Sequence, residues 1–363
     1  MESSGTLCDL TGACYLALQH ARDELRPWDQ LTSGAPAAMT SCSDAEALAE
    51  SLASVQGRER AVLGPSTLHL YADLFGLLSA KGIAVYVDAG AYPISRWGVE
   101  RAAGRGVPVR QFAHHDPAAL RDQIEADAGY RLRPIVVADG FCTICGEPAP
   151  IGAYIEAVHA FGGQLILDDT QALGILGHAP TADAPYGRGG GGSLRWHGLE
   201  GSEVLVISSM AKGFGVPLAV LAGSEAMVRW FEAESETRVH CSPPCRAVTH
   251  AAEHALAVNE SDGDAIRLRL AERVQQFRSG IHAAGFSASG GLFPVQTLAP
   301  LADLDGPRLH DHLEQRGIRT LLLDRHAGRS ARVMLLFTAR HSPQDIQHVV
   351  AGLTQAAVTE SMA

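Results

Sequence analysis

The sequence has 363 residues, enough for a large domain and a smaller one. Its net charge of −11 and pI of about 5.8 argue against nucleic acid as the main partner, because phosphate backbones attract basic surfaces. No apolar run approaches the roughly 20 residues that cross a bilayer, and the N-terminus lacks the features of a signal peptide. Seven cysteines without a regular framework favour reduced thiols. We therefore expect a cytoplasmic protein that binds neither nucleic acid nor membranes.

Residues 1–45 have a mixed composition and form an N-terminal segment, in which one helix is suggested around 14–26. From residue 46 to about 235, helical patterns alternate with compact apolar runs that suit buried strands. These runs lie at 60–64, 83–88, 107–112, 134–139, 163–169, 203–209 and 218–223. Because strand–helix alternation with continuously apolar strands is typical of a parallel sheet covered on both faces, we predict a large α/β domain over 46–235.

The pattern changes after about residue 236. A long helical pattern over 244–284 is followed by an apolar run, a helix around 306–316, two further apolar runs and a final helix from Pro343. This arrangement predicts a small C-terminal α+β domain over 236–363.

Two strand-to-loop transitions carry the most informative polar residues. The segments at 164–177 and 204–217 each begin as an apolar run, continue with a polar cluster and then reach glycine. The polar cluster contains Asp168 in the first segment and Lys212 in the second. An acid and a lysine from neighbouring strand ends are the groups that a pyridoxal phosphate (PLP) site requires. The lysine holds the cofactor aldehyde as a Schiff base, and the acid keeps the pyridine nitrogen protonated. Burial would lower the pKa of the amine and make it a usable nucleophile.

Position alone does not separate Asp168 from its neighbour Asp169, which could be the functional acid instead. Either residue could also serve only a structural role. We prefer Asp168, because side chains alternate across a strand and only one of the two can face the ligand crevice.

Hydroxyl groups at two places suggest where a phosphate binds. Ser66 and Thr67 open a predicted helix over 67–81, and a helix start offers free N–H groups to an anion, although simple capping is the alternative. Ser209, three residues before Lys212, is a second candidate phosphate donor.

The cysteines form a C-x-x-C pair at 142–145 and a C-x-x-x-C pair at 241–245, which together could ligate zinc. No histidine or thiol cluster along the chain supports that spacing. His114 and His115 precede an Asp-Pro turn and are interpreted as loop or helix-cap residues. We therefore predict no metal site.

The segments ILDDTQALGILG, SSMAKGFG and FTARHSPQDIQHVV resemble the α-oxoamine synthases, a family that includes aminooxononanoate synthase, aminoketobutyrate ligase and aminolevulinate synthase. The likeness runs in the same order from about residue 10 to 353. It implies a fold type I PLP-dependent transferase, with a mainly parallel seven-stranded sheet in the large domain and a small C-terminal α+β domain. It also implies a homodimer with shared active sites.

The resemblance implies Lys212 as the Schiff-base lysine and Asp168 as the partner of the pyridine nitrogen. Further residues that it places at the cofactor are Ser66, Thr67, Asp139, Thr143, Ser209 and, from the neighbouring subunit, His240.

Three positions depart from the family pattern. Gln171 replaces a histidine that bonds the cofactor's phenolic oxygen, and an amide can donate that bond but cannot take up a proton. The histidine that stacks on the pyridine ring is missing, and Tyr92 is the best substitute. Met334 stands where an arginine grips the substrate carboxylate. The arginines that could replace it are Arg332, two residues earlier on the same strand face, Arg325 and Arg340.

These observations predict a PLP-dependent transferase that condenses an amino acid or a related amine with an acyl thioester, carried by coenzyme A or a carrier protein. The altered carboxylate clamp favours a substrate from specialised metabolism. The closest alternative is an aminotransferase, or another PLP reaction that needs no thioester, since the D-x-x-Q-A-x-G pattern also resembles sugar aminotransferases. A third hypothesis, a non-catalytic sensor or scaffold with this fold, is disfavoured by the retained lysine and acid.

Overall fold

The computed structural model describes residues 7–39, 43–299, 305–323 and 331–361. Ten strands precede residue 224 in the described chain: β1 (Cys8–Asp9), β2 (Arg60–Gly64), β3 (Ile83–Asp88), β4 (Val109–Phe112), β5 (Arg133–Asp139), β6 (Phe141–Cys142), β7 (Glu147–Pro148), β8 (Gln164–Asp168), β9 (Val204–Ser209) and β10 (Ala219–Gly223). The helices of the same region are α1 (Ser43–Gln56), α2 (Thr67–Leu78), α3 (Pro93–Ala103), α4 (Pro117–Asp127), α5 (Ile151–His159), α6 (Ser193–His197), α7 (Glu225–Glu234) and α8 (Glu236–His240).

The central sheet has seven strands in the order β2-β10-β9-β8-β5-β3-β4. Only β10 runs against its neighbours, β2 and β9, while the other neighbouring strands pair in parallel. The prediction of a mainly parallel seven-stranded sheet is therefore confirmed. Strands β6 and β7 lie outside this sheet and form a short antiparallel hairpin.

The two faces of the central sheet are covered by separate apolar clusters, because side chains alternate along each strand. On β3, Val85 packs in a cluster that includes Leu74 of α2, whereas the next residue, Tyr86, packs in a cluster that includes Tyr154 of α5. All four side chains are buried. The result is a sheet between two helical layers, which leaves its strand ends as the place for polar groups.

The C-terminal part contains α9 (Arg246–Ser261), α10 (Gly263–Ala283), β11 (Ala288–Ser289), β12 (Val295–Leu298), α11 (Gly306–Glu314), β13 (Ile318–Arg319), β14 (Leu321–Leu323), β15 (Arg332–Leu336) and α12 (Pro343–Ser361). Four of its strands form an antiparallel sheet in the order β11-β12-β15-β14. The helical pattern over 244–284 forms two helices, because the chain leaves helical geometry at Asp262. The division of the chain into 1–45, 46–235 and 236–363 stays a prediction.

The helix suggested around 14–26 is wrong, since this stretch has no helical residues. Its polar groups bind distant parts of the chain instead. The N–H of Tyr15 donates to the carbonyl oxygen of Lys212 at 3.1 Å, and Nε2 of His20 lies 2.8 Å from the carbonyl oxygen of Phe214. Strand β1 pairs in parallel with β13 in a separate two-stranded sheet, and the carbonyl oxygen of Leu10 accepts a hydrogen bond from the N–H of Leu336 on β15. Among the helices of the described residues, none combines the length and apolarity that crossing a membrane requires.

Candidate active site

Three neighbouring strands of the central sheet end in polar residues at the same edge. Strand β5 ends at Asp139, β8 at Asp168 and β9 at Ser209, and Asp139 and Asp168 are paired in the ladder. In open α/β sheets, ligands bind beside the carboxyl ends of the strands. A cavity of about 220 Å³ lies here, and its lining residues are Thr67, Tyr92, Ile94, Asp139, Phe141, Thr143, Asp168, Thr170, Gln171, Ser209, Ala211 and Lys212.

Lys212 enters the cavity from the turn that follows β9. The turn is anchored by Met210, which is fully buried and whose N–H donates to the carbonyl oxygen of Leu218. Nζ of Lys212 lies 5.7 Å from the ring centroid of Tyr92. Burial lowers the pKa of the Lys212 amine, and the nearby carboxylates of Asp168 and Asp139 only partly oppose this. A larger fraction of the amine is therefore neutral, and thus nucleophilic or basic, than for a lysine in water.

Asp168 is a buried carboxyl with three kinds of neighbour. Its Oδ2 accepts a 3.2 Å hydrogen bond from the hydroxyl of Tyr71, and its Oδ1 accepts one of 3.0 Å from the N–H of Thr170. Burial raises the pKa of Asp168, while these hydrogen bonds and the charge of Lys212 lower it. The carboxyl is thus oriented by fixed donors and is sensitive to any cation placed in the cavity.

Asp139 lies beside Asp168 at the end of β5. Its Oδ1 accepts a 3.1 Å hydrogen bond from the N–H of Tyr92. Burial, followed by the charge of Asp168, raises the pKa of Asp139 well above its ordinary value. The charge of Asp168 thus favours the protonated form of Asp139, and a cationic group in the cavity would oppose this effect.

Asp169 faces away from the cavity. Its Oδ2 accepts a 2.8 Å hydrogen bond from the N–H of Ser193, the first residue of α6. Burial raises the pKa of Asp169 to about 6. The two neighbouring acids thus lie on opposite sides of the strand end, and Asp168 is the one that lines the cavity.

The residues proposed for a phosphate lie at the start of α2 and at the end of β9. Thr67 lines the cavity as the first residue of α2. Ser66 is not among the residues that line the cavity, and its Oγ makes no capping bond but lies 2.8 Å from Nδ1 of His69. Ser209 lines the cavity, and its Oγ accepts a 3.2 Å hydrogen bond from the N–H of Ala211. Hydroxyls and a helix N-terminus therefore meet near Lys212.

Three further predicted residues line the cavity. Oε1 of Gln171 accepts a 2.7 Å hydrogen bond from the hydroxyl of Tyr15, which leaves the amide nitrogen as the group that can donate to a ligand. Thr143 and Tyr92 also line the cavity, and the side chain of Tyr92 is half exposed at its mouth.

Other predicted residues lie elsewhere. His240 is exposed at the end of α8 and does not line the cavity. Arg332 is partly buried at the start of β15, where it pairs with Leu323, and is likewise absent from the cavity wall. Arg325 lies outside the described residues.

Sequence reasoning missed several residues of the site. Tyr71 contacts Asp168 but lies 97 residues earlier, and Tyr15 contacts Gln171 across 156 residues. Thr170 was detectable in principle, because it is two residues after Asp168. Its Oγ1 accepts a hydrogen bond of 3.1 Å from the N–H of Ser209, so it joins the ends of β8 and β9.

Comparison with known proteins places the chain in a family. The family described as Aminotransferase class I and II matches residues 3–353. The chain is 27% identical to 8-amino-7-oxononanoate synthase of Alcanivorax borkumensis over 310 residues, which are 85% of this chain and 76% of the relative. It is 28% identical to the enzyme of the same name from Citrobacter koseri over 347 residues, covering 93% of this chain and 86% of that one.

Two solved structures show the same fold. Serine palmitoyltransferase from S. paucimobilis, solved with bound PLP, has a TM-score of 0.81 at 16% identity, and the match covers 98% of this chain and 89% of that chain. The 8-amino-7-oxononanoate synthase of Francisella tularensis has a TM-score of 0.74 at 15% identity, with 98% and 99% of the two chains covered.

The cavity residues fit the cofactor of this family. Within the described residues, no hydrogen bond or ion pair engages the amine of Lys212, and two carboxyls, four serine or threonine hydroxyls and a helix N-terminus surround the same cavity. With the match over 3–353, these features assign the cofactor class. The chain belongs to the class I and II aminotransferase family, of fold type I transferases that depend on pyridoxal phosphate.

Proposed function

We propose that the protein is a PLP-dependent transferase of the α-oxoamine-synthase type, which joins an amino acid or related amine to an acyl thioester. The single observation that carries this proposal is the shared cavity of Lys212 and Asp168. The relatives that match 85% and 93% of the chain are named as 8-amino-7-oxononanoate synthases, which supports condensation as the reaction.

When bound, PLP supplies a conjugated ring that withdraws electrons from the α-carbon of an amine substrate. Lys212 would hold the cofactor when no amine is present and then take the proton from that carbon. The burial that lowers its pKa increases the neutral fraction of Nζ, which favours its role as a base. Asp168, oriented by Tyr71 and by the N–H of Thr170, would hold a proton at the ring nitrogen.

The other cavity residues would bind and orient the cofactor. Thr67, Ser66, Ser209 and the N-terminus of α2 are proposed to hold the phosphate. The free amide nitrogen of Gln171 would donate to the phenolic oxygen, since its Oε1 is occupied by Tyr15. Further cofactor contacts are proposed for Asp139, for Thr143 and for the ring of Tyr92, which would stack on the cofactor.

The amine substrate is proposed to differ from an ordinary amino acid held by a central arginine. Within the described residues, the cavity wall contains no arginine, and Lys212 is its one cationic side chain. Met334 is buried between β12 and β14, where it pairs with Thr297 and Leu321. Arg332 lies on the same strand and is the proposed replacement clamp, with Arg325 and Arg340 as further candidates. An unusual amine or a carrier-bound acyl group of specialised metabolism suits this arrangement.

The proposed assembly is a homodimer with shared active sites in the cytoplasm. His240 and Val239 are exposed at the end of α8, so this segment is free in a single chain to reach a second copy. In the dimer, His240 is proposed to contact the phosphate of the neighbouring site.

The experiment is to incubate the holoprotein with a panel of amino acids and amines, with and without acyl-CoA, and to measure both carbon dioxide release and α-aminoketone products. We expect product only when both substrates are present. Lys212→Ala should abolish it, while the matched control Lys81→Ala should not, because Lys81 is the only other lysine of the chain and is exposed. Stable conversion of the cofactor to its amine form without acyl-CoA would instead establish an aminotransferase.

A further inference from the structure

A cluster of metal-ligand side chains lies outside the cofactor cavity. His114 and His115 come from the loop between β4 and α4, and Cys145 comes from the turn of the β6–β7 hairpin. Ligand atoms of these three residues lie within 4.8 Å of one another, with all three side chains partly buried. The sequence predicts no metal site because His114 and Cys145 are 31 residues apart, and only the folded chain brings them together.

The distances within the cluster suit a shared ion. Nε2 of His114 is 3.2 Å from Sγ of Cys145, and Nδ1 of His115 is 4.0 Å from the same sulfur. Around a tetrahedral zinc ion, bonds of about 2.3 Å to sulfur and 2.0–2.1 Å to nitrogen separate these atoms by about 3.6 Å. The observed values lie on either side of that separation, so small side-chain movements admit the ion.

A buried carboxylate orients the histidines. Oδ1 of Asp88 lies 2.6 Å from Nδ1 of His114, which directs Nε2 of that ring toward the sulfur. Oδ2 of Asp88 accepts a 3.0 Å hydrogen bond from the N–H of His115 and one of 2.9 Å from the hydroxyl of Tyr154. A carboxylate on the far nitrogen of a ligating histidine is the usual outer support of a zinc site. Gly90 makes room for this arrangement, because a Cβ there would collide with the His114 ring.

The fourth ligand of the proposal is Cys142 of the same hairpin, whose sulfur lies outside the group of three and would move toward them on binding. Cys142 begins the C-x-x-C pair, and its Sγ accepts a 3.5 Å hydrogen bond from the N–H of Cys145. Two thiolates and two imidazoles form a set that zinc binds tetrahedrally. We propose that the protein binds one zinc ion through four side chains: His114, His115, Cys142 and Cys145.

The ion would stabilise one wall of the cofactor cavity. The hairpin that carries the two cysteines also carries Phe141 and Thr143, which line the cavity. Phe141 stacks on Phe293 of the C-terminal part, with ring centroids 3.9 Å apart. Zinc would tie this hairpin to the loop after β4, so its role is structural. The proposal does not depend on the reaction that the enzyme catalyses.

The test uses the full-length holoprotein, purified without a metal-affinity tag, incubated with zinc chloride and dialysed. We expect about one zinc per chain by elemental analysis. In competition with a chromophoric chelator, Cys145→Ser and His114→Ala should weaken zinc binding by roughly 100-fold. Cys245→Ser is the matched control and should bind zinc like the unaltered protein, since Cys245 lies outside the cluster.

Cobalt provides a second measurement on the unaltered protein, which decides the question even if Cys145→Ser fails to fold. Thiolate ligation gives a sulfur-to-cobalt charge-transfer band in the difference spectrum between cobalt-loaded and metal-free protein. Absence of that band, fewer than about 0.1 zinc per chain, or unchanged zinc binding in Cys145→Ser would overturn the proposal. A metal-free protein whose mass is lower by two hydrogens would also overturn the proposal, because the two cysteines would then form a disulfide.

Discussion

The hydroxyl of Tyr71 donates a 3.2 Å hydrogen bond to Oδ2 of Asp168, and both side chains are buried. The tyrosine lies on α2 and the acid ends β8, so the contact joins a helix to the edge of the sheet. Burial raises the pKa of Asp168, whereas this bond lowers it. Tyr71 therefore favours the ionised form of the buried carboxyl.

Replacement of Tyr71 by phenylalanine tests this role. A hydrogen bond to a charged group contributes about 1.5–3 kcal/mol, so we expect kcat/KM to fall by roughly tenfold or more. The pKa of Asp168 should rise without its donor, so the acid side of the pH–rate profile should move to higher pH. Tyr86→Phe is the matched control, because Tyr86 donates to Asp127 away from the cavity. Equal effects of the two substitutions would mean that Tyr71 serves stability only.

Asp169 should make the stability of the fold depend on pH. Its folded-state pKa of about 6 lies above the ordinary value of 3.8, so the folded chain binds this proton more tightly than the unfolded chain. The stabilisation of the folded state by this proton is complete below about pH 4 and is lost as the pH rises through 6. It amounts to about 3 kcal/mol in the free energy of unfolding. Denaturant unfolding of the unaltered protein and Asp169→Asn from pH 4 to 8 checks this. The free energies of unfolding should differ between them in a pH-dependent way, and parallel curves would contradict the assignment.

Arg332 is expected to bind the carboxylate of the amine substrate. With the amine that gives the strongest condensation, Arg332→Met should raise KM by roughly 10- to 100-fold, because a charge-assisted hydrogen bond of about 1.5–3 kcal/mol is removed. The value of kcat should change much less. Arg121→Met is the comparison, since Arg121 is exposed on α4 and does not line the cavity. A KM within twofold of the original value for Arg332→Met would remove Arg332 from the substrate site.

Shared active sites can be tested by mixing two inactive chains. In a dimer of Lys212→Ala with His240→Ala, one of the two sites receives both intact residues. Random pairing should therefore restore about a quarter of the normal activity, although each variant alone is nearly inactive. His178→Ala, an exposed histidine elsewhere, serves as the control partner and should be active alone. Failure of the mixture to regain activity, or a monomer in sedimentation velocity, would contradict sharing.

Local patterns account for what could be predicted from the sequence. The apolar runs at 60–64 and 83–88 coincide with β2 and β3, because burial on both faces favours apolar residues at successive positions of a strand. Asp168 and Lys212 stand out because each lies where an apolar run gives way to polar residues. A charge at the end of a buried strand is costly without a specific partner or ligand. The suggested helix around 14–26 failed because distant partners, which a local pattern cannot reveal, occupy its polar groups.

The sequence alone was enough to indicate the class of fold and the cofactor, and it singled out Lys212 and Asp168 as the two residues that we propose at the centre of the site. Only the tertiary structure decided that β10 runs against its neighbours, that Tyr71 meets Asp168, and that His114 meets Cys145. Strand composition depends on local burial, and so it is visible along the chain. Contacts between distant side chains depend on the order of the strands and on the packing of loops at their ends, which the whole core sets together.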